Sequence, residues 1–269
     1  MARTGSRNLV LGGGVALNCS ANGRIREAIE PDSLYLFPAS GDAGTAAGAG
    51  IAASGLTTGA SSITHAYFGP SFSPASMRQA LEDAGVSFLE PPSIAAAVAR
   101  LIEAENTVGW FQGAAEIGPR AVCHRSIISR PDLPKLSRKV NQTKRREQWR
   151  PLAPSGLRAC LEPLLGSELH VSPFMLEAVN TPSPSQLAGT VHVDGTARLH
   201  VVEQDAGADP LVLELLTQVR HRVGVGAVLN TSFNDESEPV VLTPRDALRT
   251  FFATGLDALA LGPFLLQKR

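Results

Sequence analysis

No stretch of this 269-residue chain reaches the roughly 18 consecutive apolar residues that a membrane-spanning helix needs. The N-terminus offers Arg3 and Arg7 ahead of LVLGGGVAL, but glycines dilute that run and the polar Asn18 follows it, so a secretory leader is not expected. Cysteine is scarce. Cys19, Cys123 and Cys160 share no metal-type spacing and form an odd set, which leads us to expect reduced thiols and a cytoplasmic setting. The six histidines include no H-x-x-x-H pair, so no metal site is complete within the chain. A charge excess is missing too. The net charge of -1 argues against a dedicated nucleic-acid binder, and aromatics are not interleaved with the bases as stacking on RNA would require. Any basic site must therefore be local. What remains, 43% apolar and 18% charged, is ordinary globular composition with room for one large domain or two modest ones.

The first 55 residues read as βαβα, the pattern of a parallel sheet. Asn8 to Val15 is a strand running into a Gly-rich turn, Ala16 to Ile29 has helical spacing, and SLYLFP is a short strand. GDAGTAAGAGIAA then forms a helix of small residues with Asp42 as the expected N-cap. Ser54 to Ser71 has no periodicity and reads as a linker. Beyond it come a helix from Ser73, the strand VSFLE, a helix capped by Ser93 and the strand VGWFQ. Residues 113–157 are long, polar and basic. GTVHVDGTARLHVVE alternates on both sides of Asp194-Gly195, a hairpin signal. The helix PLVLELLTQVRHR, the strand GAVLNTSF and a helix with Thr243 as N-cap, Pro244 first and Asp246 third complete the pattern, and DALALGPFLLQK closes it as a strand. The fold class is α/β, with a mixed sheet in the second region.

Three stretches could carry chemistry. KLSRKVNQTKRREQWR holds Lys135, Arg138, Lys139, Lys144, Arg145, Arg146 and Arg150 against one acid, Glu147, a focused positive field in a chain that is otherwise neutral. A generic basic run is a solvated helix face. Here Val140, Trp149 and Pro151 interrupt the run, and Gly-Pro-Arg120 and Arg-Pro turns bracket it, so guanidinium forks could be held for phosphate oxygens. In LNTSFNDESEP, Ser232 and Asn234 sit two apart at a strand end and point the same way, as turn formers or as a hydroxyl-amide pair for a phosphate or carbonyl. In VDGTAR, Arg198 follows a tight turn, either as a surface residue or as a ligand contact. Gly12, Gly13 and Gly14 would let backbone approach an anion or nucleotide near a helix start, or simply make a tight turn.

These pieces together resemble the NodU/CmcH family of O-carbamoyltransferases. GGGVALNCSANGRI resembles the family's GGVALN-x-x-ANG-R, and GDAGTAAGAG its GDAGTALGAA. GWFQGAAEIGPRAVCHRSII is similar to G-x-x-QGR-x-E-x-GPRALGNRSI, and KRREQWRPLAPS to K-x-RE-x-FRPFAPS. SPFM is unchanged, VHVDGTAR is similar to THVDGTAR, and LNTSFNDESEPVV to LNTSFN-x-x-x-EPIV. The chain departs from the pattern in Ala114, which replaces an arginine, and in Val122-Cys123-His124, which replaces Leu-Gly-Asn.

The resemblance implies three parts: residues 1–55 as the C-terminal fragment of an actin/sugar-kinase-like, threonylcarbamoyl-transferase-like lobe, 56–72 as a linker, and 73–269 as a YrdC-like domain forming carbamoyl-adenylate. It places a K-x-R and S-x-N constellation on Lys144, Arg146, Ser232 and Asn234, with Arg120 and Arg198 as further contacts. Gly12, Gly13, Gly14, Asn18, Arg150 and Asn230 are implied to bind cofactor. ATP, carbamoyl phosphate and Mg2+ are the implied cofactors, with Fe2+ or another divalent metal shared with a partner chain. Asp42 matches one ligand of that metal, whose histidine pair belongs to residues this chain lacks. The implied role is the C-terminal half of an enzyme that carbamoylates a hydroxyl of a small natural product. We expect an N-terminal subunit to complete it; a truncated chain and a degenerate homologue are the other readings of the missing half. The rival functions are a non-catalytic scaffold for a catalytic partner and an RNA-binding module.

Overall fold

The computed structural model describes residues 4–55, 63–166, 171–182, 184–203 and 208–268. In the first region, β1 (Asn8–Leu11) leads through Gly12–Gly14 and a tight 3-10 turn into α1 (Cys19–Ile29). Asn18 caps α1, its Oδ1 accepting from the Ala21 N–H at 3.1 Å. β2 (Ser33–Leu36) pairs in parallel with β1, and α2 (Asp42–Ser54) follows. The expected cap moves by one residue. Gly41, extended, is the N-cap, and Asp42 lies in the first turn, where its charge still favours the helix dipole. Of the expected linker, residues 56–62 lie outside those described, and 63–72 form neither helix nor strand.

The second region builds on helix caps that the sequence announces. α3 (Pro74–Asp83) is capped by Ser73 and α4 (Ile94–Glu103) by Ser93, each hydroxyl accepting a backbone N–H three residues on. Next come β3 (Val108–Phe111), β4 (Arg125–Ser129), α5 (Pro134–Thr143), β5 (Ala153–Leu157) and α6 (Arg158–Leu165). Then follow β6 (Ala178–Asn180), β7 (Thr196–Arg198), β8 (His200–Val202), α7 (Pro210–Val223) and β9 (Ala227–Ser232). α8 (Pro244–Ala253) begins at a full capping box between Thr243 and Asp246, and β10 (Ala258–Leu261) and β11 (Phe264–Gln267) end the chain.

Seven strands form one mixed sheet in the order β11-β10-β3-β4-β9-β5-β8, with β10–β3 and β5–β8 parallel and the other pairs antiparallel. Both faces are covered, so its inner strands are buried throughout. Trp110, Ile128 and Val228 pack against α4 and α7 on one face. Phe111, Ile127 and Leu229 pack against α3 and α8 on the other, as the period of two requires.

Several expectations are corrected. VSFLE contributes a single bridge, Leu89 to Leu265, rather than a strand. The turn at Asp194-Gly195 exists, closed by the Gly195 N–H donating to the His192 carbonyl and the His192 N–H to the Thr196 carbonyl, but the ladder goes no further: β7 pairs along its length with β6. The closing segment is a hairpin, because Gly262 at φ 55 reverses the chain between β10 and β11. The basic stretch contains ordered elements, β4, α5 and β5.

Phe233 joins the fold to the site. It is fully buried between Ser232 and Asn234, and a Cβ added at Gly109 on β3 would lie only 2.8 Å from its ring. Phe233→Ala is expected to cost about 3–5 kcal/mol in urea unfolding. A loss below about 1 kcal/mol would mean the ring does not anchor the end of β9.

Candidate active site

The end of β9 turns Ser232 and Asn234 toward the residue that closes α5. Lys144, 3% exposed, points its ammonium at the Asn234 Oδ1 (2.7 Å), the Asn234 carbonyl (3.0 Å), the Ser232 carbonyl (2.5 Å) and the Ser232 Oγ (3.2 Å). The Ser232 hydroxyl donates to the Asn234 Oδ1 at 2.6 Å, and the Asn234 amide donates to the carbonyls of Asp235 and Glu238. Among the described residues no carboxylate bonds to Lys144. Burial, then the neighbouring Arg146 charge, push the ammonium down to about 7, with Asp235 opposing.

Arg146 lies just beyond α5. Its Nε donates to the Asn141 Oδ1 at 2.7 Å, while its buried Nη2 has no partner. Arg120 donates from Nη2 to the Leu17 carbonyl at 2.9 Å and leaves its buried Nε unpaired. Arg198, the last residue of β7, also buries an Nε without a partner. The four charges feel one another: burial and then Arg198 lower Arg120 to about 10, and burial, Arg150 and Arg198 lower Arg146 to about 10. Buried polar groups are nearly always paired, yet three guanidinium nitrogens of this cluster, like Arg125 Nε outside it, have no hydrogen-bond partner among the described residues. The structure thus brings together the six residues proposed as catalytic from sequence.

The other candidates sit elsewhere or act indirectly. Gly12, Gly13 and Gly14 form an exposed turn with open space around each, and only Gly13, at φ 85, needs glycine's freedom. Asn18 is exposed and spends its side chain on the α1 cap. Arg150 is exposed and paired to Glu147 at 2.8 Å. Asn230 is fully buried. Its amide donates to the Ala121 carbonyl (2.9 Å) and the Ser155 Oγ (2.7 Å), so it holds the backbone beside Arg120 rather than facing solvent. Asp42 is exposed, and no group of three or more His, Cys, Asp or Glu that could hold a metal exists among the described residues. One carboxylate does not by itself make a metal centre.

Sequence reading missed the supports. Asn141, 1% exposed, accepts from Arg146 while its amide donates to the Gln148 and Arg150 carbonyls, pinning arginine and loop together. A polar residue on the buried face of α5 beside Leu136 and Val140 was the available signal. Glu116 Oε1 accepts from the backbone N–H groups of Val122 and His124 (both 2.8 Å) and Arg125 (3.2 Å), folding the loop that carries Arg120. A separate cavity of about 260 Å3 lies between β2, residues 63–67, β8 and the start of α7. Tyr35, Tyr67 and Phe174 line it and no Lys or Arg does, so it does not suit a phosphate.

The buried cationic cluster lies on a mixed α/β sheet, and the comparisons with known proteins define the class as carbamoyltransferase. Residues 99–268 match the family model described as carbamoyltransferase C-terminus, and residues 1–51 match carbamoyltransferase N-terminus. The chain belongs to the NodU/CmcH family of carbamoyltransferases. It is 34% identical to the nodulation protein NolO of Bradyrhizobium diazoefficiens, over 99% of this chain and 50% of that protein. It is 30% identical to the 3'-hydroxymethylcephem-O-carbamoyltransferase of Amycolatopsis lactamdurans, over 97% and 49% respectively. A solved structure of full-length HypF in its phosphate- and nucleotide-bound form aligns with 65% of this chain and 22% of that one, at 15% identity and a TM-score of 0.44, too loose a likeness to bear on function. The chain spans about half the length of the curated relatives it matches.

An anion bound beside Lys144 raises that residue's pKa, so binding takes up a proton. Affinity for sulfate, whose own charge is fixed across this range, is therefore expected to be flat below about pH 7 and to fall above it, by up to about tenfold per unit. Calorimetric titrations at pH 8 in buffers of different ionisation enthalpy read the uptake directly. No uptake would place Lys144 away from the anion.

Proposed function

We propose that the cluster of Lys144, Arg146, Arg120 and Arg198 converts carbamoyl phosphate and ATP to carbamoyl-adenylate, for transfer to a hydroxyl of a small natural product. Residues 73–269 would then be a YrdC-like adenylating domain, and residues 1–55 part of a kinase-like lobe. The observation that supports this reading best is the set of three buried, unpartnered guanidinium nitrogens on Arg120, Arg146 and Arg198. Substrates that bring phosphoryl oxygens supply the acceptors those nitrogens lack.

The stoichiometry needs one water. Water cleaves carbamoyl phosphate to carbamate and phosphate; a carbamate oxygen then attacks the α-phosphorus of ATP, and pyrophosphate leaves as the α–β bridging bond breaks. Neither step requires a nucleophilic side chain. The protein's part is to hold two anions in contact and to neutralise charge on the transferring phosphorus, the work of fixed cationic donors. Arg146 and Arg198 suit the phosphoryl oxygens. Lys144, held by Ser232 and Asn234, suits the leaving phosphate or the carbamate. Mg2+ would enter with the nucleotide.

Partnering with an N-terminal subunit draws support from the first region. Among the described residues its sheet has two strands, and α2, rich in alanine and glycine, has no buried residue. Val10, Val15 and Ile51 are 71%, 83% and 55% exposed. Relatives twice as long have chain available to cover such a face.

The test is pyrophosphate release from ATP, with and without carbamoyl phosphate. Release dependent on carbamoyl phosphate and reduced about a hundredfold or more in Arg146→Ala is the expected result. No release from this chain, alone or with an N-terminal subunit added, would overturn the adenylation reading and leave the scaffold.

A further inference from the structure

The one side-chain hydrogen bond that Arg120 makes among the described residues reaches beyond the cationic cluster. Its Nη2 is not held by its own domain but by the Leu17 carbonyl, at 2.9 Å, in the turn that enters α1. That turn is itself tied down. Asn22, 1% exposed, splits its amide between the Ala16 carbonyl, the peptide next to Leu17, and the Leu176 carbonyl of the second region, both at 2.8 Å. One turn further along α1, Arg26 grips Glu177 with Nε at 2.5 Å and Nη2 at 3.2 Å. Glu177 is 1% exposed and also accepts from the Ser172 N–H at 2.6 Å. Between them, Gly23 lets the helix approach so closely that an added Cβ would lie 2.1 Å from the Ala178 carbonyl. Residues 172–178 therefore form a dock for one face of α1, and the docked helix presents the Leu17 carbonyl to Arg120.

We infer that the docked α1 is a positioning element of the anion site: by fixing the Leu17 carbonyl it aims the Arg120 guanidinium, so that the unpaired Nε faces the phosphate. The inference rests on the anion-binding reading of the cluster. A guanidinium is a planar fork, and fixing one nitrogen fixes the direction of the others. Without the Leu17 carbonyl, Arg120 keeps its charge but loses its orientation, and neighbouring positive charges drive it toward solvent. The Gly-rich turn then serves the phosphates through a carbonyl and an arginine, not through its own N–H groups. It also couples the first region to chemistry in the second: whatever shifts α1 in its dock loosens an arginine of the anion site.

The test uses the full chain and inorganic pyrophosphate, with affinity measured by calorimetry. Asn22→Ala removes the tie beside Leu17 without touching the cluster and is expected to weaken binding about tenfold, the value of one charged hydrogen bond's orientation. Arg26→Ala loosens the same dock from its other end and is expected to weaken binding in the same direction. Arg26→Lys should restore part of the loss. The deciding measurement is the cycle with Arg120→Ala: once Arg120 is gone, Asn22→Ala should cost nothing further. Equal affinity in parent, Asn22→Ala and Arg26→Ala would overturn the inference while leaving the anion site standing. Losses that simply add in the Arg120→Ala background would overturn it too, because they would report general loosening. A parent chain that binds no pyrophosphate would remove the anion reading and this inference together. If Asn22→Ala does not fold by circular dichroism, the Arg26 pair carries the same cycle.

Discussion

Everything near the cationic cluster answers one constraint: several positive charges are held close together, partly out of water, with no carboxylate among the described residues bonded to them. Such an arrangement is costly alone, since burial and mutual repulsion both oppose the charged forms. It is held by neutral acceptors. Lys144 has backbone and side-chain oxygens of Ser232 and Asn234, Arg146 has Asn141, and Arg120 has the Leu17 carbonyl. Carbonyl and amide oxygens stabilise a cation without cancelling its charge, which a paired carboxylate would do. The cluster therefore keeps its net positive charge. Contrast the basic residues a few positions away: Lys139 is paired with Asp257 at 2.5 Å and Arg130 with Asp132 at 2.6 Å, and these serve the fold.

The loop carrying Arg120 shows the same economy. Glu116 could have formed an ion pair with Arg125 or Arg120. Its Oε1 instead gathers three backbone N–H groups. Arg125, 1% exposed, donates to the carbonyls of Gln112, His124, Pro70 and Gly113, with its guanidinium 3.7 Å from the centre of the Phe111 ring. Both charges are spent on backbone, and the loop they brace delivers Arg120.

Local signals in the sequence read well where the physics is local. Ser73, Ser93 and the Thr243–Asp246 box start their helices as expected, because a cap is decided within four residues. Pairing was less legible. β7 finds β6 rather than its neighbour across the turn, and β10 and β11 fold back at Gly262, outcomes set by distant strands and by one glycine's φ. Within residues 113–157 the basic side chains masked β4, β5 and α5, since Arg125, Asn141 and Lys144 are polar yet buried. The six cationic and polar residues of the cluster were legible through motifs. Their supports, Asn141, Glu116 and Leu17, were not, because a bonded carbonyl leaves no trace in residue type.

The departures from the family pattern fall on these supports, and the structure explains how the cluster survives them. Cys123 occupies φ 74, a conformation that suits the family's glycine and costs another residue about 1–2 kcal/mol. The strain is countered locally: its N–H donates to the Ser126 Oγ at 3.1 Å, and its carbonyl accepts from the Trp110 indole at 2.8 Å. His124, in place of asparagine, stacks on Tyr67 with ring centres 3.6 Å apart, bonds the Ala114 carbonyl at 2.7 Å through Nδ1, and places Nε2 3.3 Å from Asp209. Tyr67 in turn donates to the Val122 carbonyl at 2.8 Å. A strained peptide at Cys123 and the His124–Tyr67 stack thus stand where the family pattern has Gly-Asn, and Arg125 donates to carbonyls of the loop ahead of it. Ala114 stands where the family pattern has an arginine, and what it adds here is its backbone carbonyl, which His124 Nδ1 bonds to brace the loop.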